Sequence, residues 1–74
     1  MFEVRVPSAL AGRPLTETGI GSLTGLSVVA LEEQGVATTQ LTAETRLPKG
    51  GTLLMLGDVE QRERFAEAFE KAGG

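Results

Sequence analysis

A nearly continuous apolar run, Leu26-Ser27-Val28-Val29-Ala30-Leu31, constrains this chain more than any other feature. With β-branched residues at its centre, such a run reads as a strand covered on both faces. The chain has only 74 residues, and a polypeptide that short buries about 60% of its unfolded surface. One face of the strand can cover the chain's own core. The other face is either more core or the surface on which a second copy packs.

The rest of the chain supplies partners for that strand. Phe2, Val4 and Val6 alternate with Glu3 and Arg5, a period of two that reads as a half-buried strand stopped by Pro7. Ser8 is placed to cap a short turn through Ala9, Leu10 and Ala11, and Gly12 suits the left-handed residue that closes it. Leu15 and Ile20 are expected to anchor the connection, and residues 20–25 read as irregular. Glu32-Glu33-Gln34-Gly35 reads as a hairpin turn, and the threonine-rich residues 36–41 as the next strand. Residues 42–49 read as a loop anchored by Leu47, followed by a Gly50-Gly51 turn and an apolar strand, Thr52-Leu53-Leu54-Met55-Leu56. Asp58 and Gln61 form a capping-box pattern at the start of a last helix ending at Gly73-Gly74. Phe65, Phe69, Ala66 and Ala72 make its apolar stripe; Glu60–Arg64 and Glu67–Lys71 are spaced as i,i+4 pairs. The expected fold is a small α+β unit of β-X-β-β-X-β-α order over residues 1–74, a mostly antiparallel four-stranded sheet backed by a C-terminal helix.

Composition narrows the chemistry. Cysteine and histidine are both absent, which removes disulfides, the usual zinc ligands and the commonest general base. Neither a Ser–His–Asp nor a Cys–His arrangement can be built from this chain. A carboxylate enzyme is the weakest reading, since no cluster of acids stands out. Seven basic against ten acidic residues give a net charge of −3, with the cations scattered and Phe2, Phe65 and Phe69 the only aromatics. A nucleic-acid surface needs a clustered basic face, so nucleic acid is not an expected partner. No apolar stretch approaches the length of a membrane span, and the first residues do not form a signal peptide.

Four stretches, in this order and spacing, resemble the C-terminal domain family of potassium-conductance regulators (the RCK/TrkA C-terminal family). They are Val6-Pro7-Ser8-Ala9-Leu10-Ala11-Gly12-Arg13-Pro14-Leu15, then Thr24-Gly25-Leu26-Ser27-Val28-Val29-Ala30-Leu31, then Thr45-Arg46-Leu47-Pro48-Lys49-Gly50, and Thr52-Leu53-Leu54-Met55-Leu56-Gly57 leading into the helix. The resemblance implies a non-enzymatic, cytoplasmic regulatory domain that dimerises, senses a ligand and serves a potassium channel or other cation transporter subunit. It would reach the membrane through that partner rather than insert directly. In some relatives a cyclic dinucleotide binds across the dimer interface, helped by basic and Asn side chains. Here Glu32 and Glu33 stand where many relatives are basic, Gln40-Leu41 where many have Asn-Pro, and Gly50-Gly51 where many have Gly-Asp. Those departures favour the alternative of an assembly module without a small ligand. With no G-x-G-x-x-G fingerprint in it, the chain looks like the regulatory half of such a system.

No resident cofactor or metal is expected; the effector implied by the resemblance is a cyclic dinucleotide or another nucleotide. The ligand site is expected at the dimer interface, on Val28, Val29, Ala30, Leu31, Thr38, Gln40 and Arg46. Arg46 and Arg13 are the cations best suited to an anionic ligand, or else plain surface charges. Glu32 and Glu33 read as a solvated hairpin before any divalent-cation role, because two adjacent carboxylates do not make a site.

Overall fold

A computed structural model of the chain describes residues 1–70. Strand β1 (Phe2–Arg5) is followed by two short helices, α1 (Leu15–Thr18) and α2 (Ile20–Thr24); then come β2 (Ser27–Glu33), β3 (Val36–Thr38), β4 (Thr52–Leu56) and α3 (Val59–Phe65), which widens into a π-helical turn at Ala66–Glu70. The sheet has four strands in the order β1-β4-β2-β3, and every neighbouring pair is antiparallel.

Register explains which side chains meet. Phe2 and Val4 of β1 stand opposite Met55 and Leu53 of β4, and Val28 and Leu31 of β2 stand opposite the same two residues. These rows form one face, and they belong to a core completed by Val6, Leu10, Ile20, Leu26, Leu47 and Phe65. Glu3, Leu54 and Ala30 lie in a row on the other face, as do Arg5, Thr52 and Glu32. A bulge between Val28 and Ala30 shifts the pairing. Without it the period of two would place both residues on the same side. With it, Val28 packs on the core while Ala30, 6% exposed, is buried outside the core cluster.

The final helix begins as its sequence implies. Asp58 Oδ1 accepts from the Gln61 amide at 2.8 Å, and Gln61 Oε1 accepts from the Asp58 amide at 2.9 Å. Phe65 is fully buried, with the Phe69 ring 5.0 Å away and tilted by 55°. The cap sits in a tight space: a Cβ on Gly57 would fall 2.3 Å from Leu26 Cδ2, so a side chain there would displace the cap or the core.

Several expectations are corrected. Within residues 20–25, expected to be irregular, Ile20–Thr24 is helical and Gly25 closes it, because the triplets Thr18-Gly19-Ile20 and Thr24-Gly25-Leu26 each end a short helix in the same way. Thr24 Oγ1 donates to the Ile20 carbonyl at 2.5 Å and accepts from the Leu26 amide at 3.0 Å; Thr18 does the same with Leu15 and Ile20. Gly19 and Gly25 take the left-handed conformation each closure needs. Glu32 and Glu33 are strand residues rather than turn residues. The hairpin is the two-residue turn Gln34-Gly35, with φ of 51° and 82°, the positive pair that matches strand twist. β3 ends at Thr38, so Gln40 lies beyond it. Glu60 and Arg64 do not pair among the described residues; an ion pair here joins Arg62 Nη1 to Glu70 Oε1 at 2.6 Å. Lys71, Ala72 and Gly73-Gly74 lie outside the described residues.

Removing the Asp58 cap tests this account of the helix. Asp58→Ala is expected to cost about 1 kcal/mol, read as a lower urea midpoint with an unchanged slope.

Candidate functional site

Two long connections build one end of the molecule, and they do so by backbone pairing. The Gly12 amide donates to the Leu47 carbonyl at 2.8 Å, and the Leu47 amide to the Arg13 carbonyl at 3.0 Å. Leu15 and Thr16 donate to Thr45 and Ala43 at 2.8 and 2.9 Å. Pro14 and Arg46 thereby form an isolated antiparallel bridge. Pro14 has no amide to lose in such a ladder, and its fixed φ suits extended chain. Leu47, with no solvent exposure, pins the ladder to the core.

That ladder carries Arg46 up to the β2–β3 hairpin. Leu31, Glu33 and Thr38 on one wall and Thr45, Arg46 and Pro48 on the other enclose a recess of about 140 Å³. Arg46 Nη1 donates to the Gly12 carbonyl at 2.7 Å, which orients the guanidinium while its other donors stay uncommitted among the described residues. Glu33 brings a carboxylate into the same recess. Glu32, one residue before it, belongs to the opposite face of the sheet opposite Thr52. Two acids on alternate faces cannot grip one cation together, and among the described residues no group of three or more acidic, His or Cys side chains is placed to hold a metal.

Of the residues expected at a ligand site, Leu31, Thr38 and Arg46 come together in this recess. Val28 turns to the core instead. Val29 and Ala30 lie outside the core cluster, beside the half-buried Leu54 and the exposed Leu56 of β4. Gln40 is exposed past the end of β3 and lines no part of the recess. Sequence reading missed Glu33, Thr45 and Pro48. Glu33 was assigned to a turn, and the other two reach the site through the ladder between residues 12–16 and 43–47, which carries no periodic signal.

Comparison with known proteins places this geometry. The family model of the TrkA-C domain matches residues 1–70. The GsuK RCK domain is 32% identical over 95% of this chain, with a TM-score of 0.84, and the GsuK channel is 34% identical over 89% with a TM-score of 0.82. This chain spans only 16% and 12% of those two chains. The RCK_C domain dimer of S. agalactiae BusR, in complex with c-di-AMP, shares the fold at 21% identity and a TM-score of 0.81, each chain covering 95% of the other. The RCK C domain of KtrA, also in complex with c-di-AMP, does so at 19% identity and a TM-score of 0.83, over 92% of this chain and 80% of that one. No curated protein matches the chain.

The two neighbours in the ladder should respond differently to mutation. Leu47→Ala leaves a cavity under the loops and is expected to cost about 2–5 kcal/mol. Arg46→Gln removes one exposed hydrogen bond while the backbone ladder remains, and should cost no more than about 1 kcal/mol. Urea denaturation of both variants checks the contrast.

Proposed function

The chain belongs to the TrkA-C domain family, and we propose that residues 1–74 act as a non-enzymatic regulatory module that dimerises and senses a small anionic ligand for a potassium or other cation transport system. The observation that carries this reading is the two-sided β2 strand. Its bulge gives Val28 and Leu31 to the core and leaves the half-buried Val29, with the half-buried Leu54 and exposed Leu56 of β4, as apolar residues outside the core cluster, around a buried Ala30. A second copy is the natural cover for such a surface in a chain whose own core is thin. The recess at Leu31, Thr38 and Arg46 lies on the same strand but on the core side of the sheet, and Val28, Val29, Ala30 and Gln40 border the same strands.

Family relatives support the role. GsuK is a channel, and one of its structures is described as bound to NAD. The KtrA and BusR domains are described in complex with c-di-AMP. By analogy, the effector here is a cyclic dinucleotide or another nucleotide held between two copies, and the transporter partner keeps the module at the cytoplasmic side of a membrane. Among the described residues, no helix is long and apolar enough to cross a membrane. The ligand would act by binding one arrangement of the two copies more tightly than another.

A second reading, an assembly module with no small ligand, is favoured by Glu33. Glu33 lines the recess, and a negative charge there would repel a phosphate that Arg46 attracts.

Two measurements separate the readings. Val29→Glu should convert a dimer to monomer in sedimentation analysis with an unchanged circular dichroism spectrum; a persistent dimer would remove this surface from the interface. In a thermal-shift panel of cyclic dinucleotides, adenine nucleotides and divalent cations, a ligand at 100 times its dissociation constant should stabilise by about 2.7 kcal/mol, raising the midpoint by more than about 5 °C. A flat panel from a dimeric protein would establish the assembly reading instead.

A further inference from the structure

We propose that a separate recess, bounded by Arg5, Val6, Ser8, Ala11, Lys49 and Gly50, is a second ligand site that takes a small organic phosphate. It has a volume of about 540 Å³, within the range of small-molecule sites. Arg5 and Lys49 lie far apart in sequence. They share this recess because the Val6 amide donates to the Gly51 carbonyl at 2.9 Å, pinning the end of β1 against the 48–51 turn.

Charge distinguishes this recess from its neighbours. Glu33 lines the recess at Arg46, and a third recess, beside Pro7 and Phe69, shares Arg5, Val6 and Ser8 with this one and is lined also by Glu70, whose carboxylate is held by Arg62. This one has two cations in its wall and no carboxylate. Glu3 and Glu32 share the sheet face of Arg5 but do not line it. Of the other cations, Arg62 is paired with Glu70, and Arg46 commits one donor to the Gly12 carbonyl and shares its recess with Glu33. The Arg5 and Lys49 side chains make no ion pair or hydrogen bond among the described residues. In a chain of net charge −3, two cationic residues lining one hollow, with the Glu70 of the adjoining recess already paired to Arg62, form a local positive field suited to an anion.

The remaining lining fits the rest of such a ligand. Ser8 adds a hydroxyl, and the amides of Ser8, Lys49 and Gly50 find no acceptor among the described residues. The turn at Gly50 has a φ of 80°, and a Cβ there would meet nothing within 4 Å, so the backbone stays open to approach. Val6 and Ala11 supply an apolar floor for the organic part. Guanidinium and ammonium groups beside free N–H donors are the common means of holding phosphate oxygens.

The test is an amide NMR titration of the full chain with adenosine monophosphate and, in parallel, inorganic phosphate. The expected result is saturable shifts at Arg5, Ser8, Lys49 and Gly50, with a dissociation constant for the nucleotide of about 1 mM or tighter. Its affinity should exceed that of inorganic phosphate by about tenfold, from contact with the apolar floor. The double variant Arg5→Gln, Lys49→Gln should weaken binding at least about tenfold, while Arg64→Gln, at an exposed position of α3, leaves it unchanged. Lys49→Gln alone, in an exposed turn, gives the same comparison should the double variant not fold. Shifts that never saturate, that persist in these variants, or that centre on Leu31 and Thr38 would overturn the proposal. Equal affinity for the two probes would overturn the organic ligand. Because this site is separate from the Arg46 recess, its failure leaves the regulatory reading standing, and the reverse also holds.

Discussion

The fold depends on β4 being paired on both edges while one of its faces is sealed by α3. Leu53 and Met55 have no solvent exposure. Each has a β1 residue on one side and a β2 residue on the other, and Phe65 closes the core they share. A chain of this length has little other apolar material to bury. Everything else is attached to that stack. The Asp58–Gln61 box starts the helix at the right point, and Gly57 and Gly25 let it come close enough to seal the sheet.

Once one face is sealed, the use of the other is the functional question. A period-two strand facing only one core would alternate apolar with polar residues. β2 does not alternate, and the bulge at Val29 distributes its apolar residues over both sides. That arrangement costs a ladder hydrogen bond, and it makes sense where both sides are to be covered. The same strand then reaches Glu33 at the Arg46 recess. The apolar residues outside the core cluster and the Arg46 recess are thus supplied by consecutive stretches of a single strand.

The loops matter as much as the strands. Residues 12–16 and 43–47 hold each other by four backbone bonds, and their ladder fixes Arg46 and Pro48 against the hairpin. The turn at 48–51, tied to β1 through Val6, gathers Arg5 and Lys49. The recesses on this side of the molecule are therefore made where irregular chain meets sheet, the usual place for binding residues on a rigid scaffold.

Local signals in the sequence were enough for the strands, the last helix and its cap. Phe2, Val4 and Val6 alternate, Thr52 to Leu56 is a compact apolar run, and Asp58 with Gln61 has one good use. The family could be read too, from four stretches in order. Glu32 and Glu33 were misread because acidic residues before Gln34-Gly35 look like turn, whereas the two positive-φ residues alone make the hairpin and the strand runs up to them. The helices at Leu15 and Ile20 were missed because each is about one turn long and held by a buried threonine hydroxyl rather than by propensity. Sequence alone determined which segments are apolar, where the chain turns and that zinc, disulfide and His-based chemistry are outside this chain's own residues. Tertiary structure decided which face each β2 residue takes and which distant charges share a hollow. A one-residue bulge inverts a strand's facing, and backbone pairing between loops depends on where their ends are held, which no local pattern records.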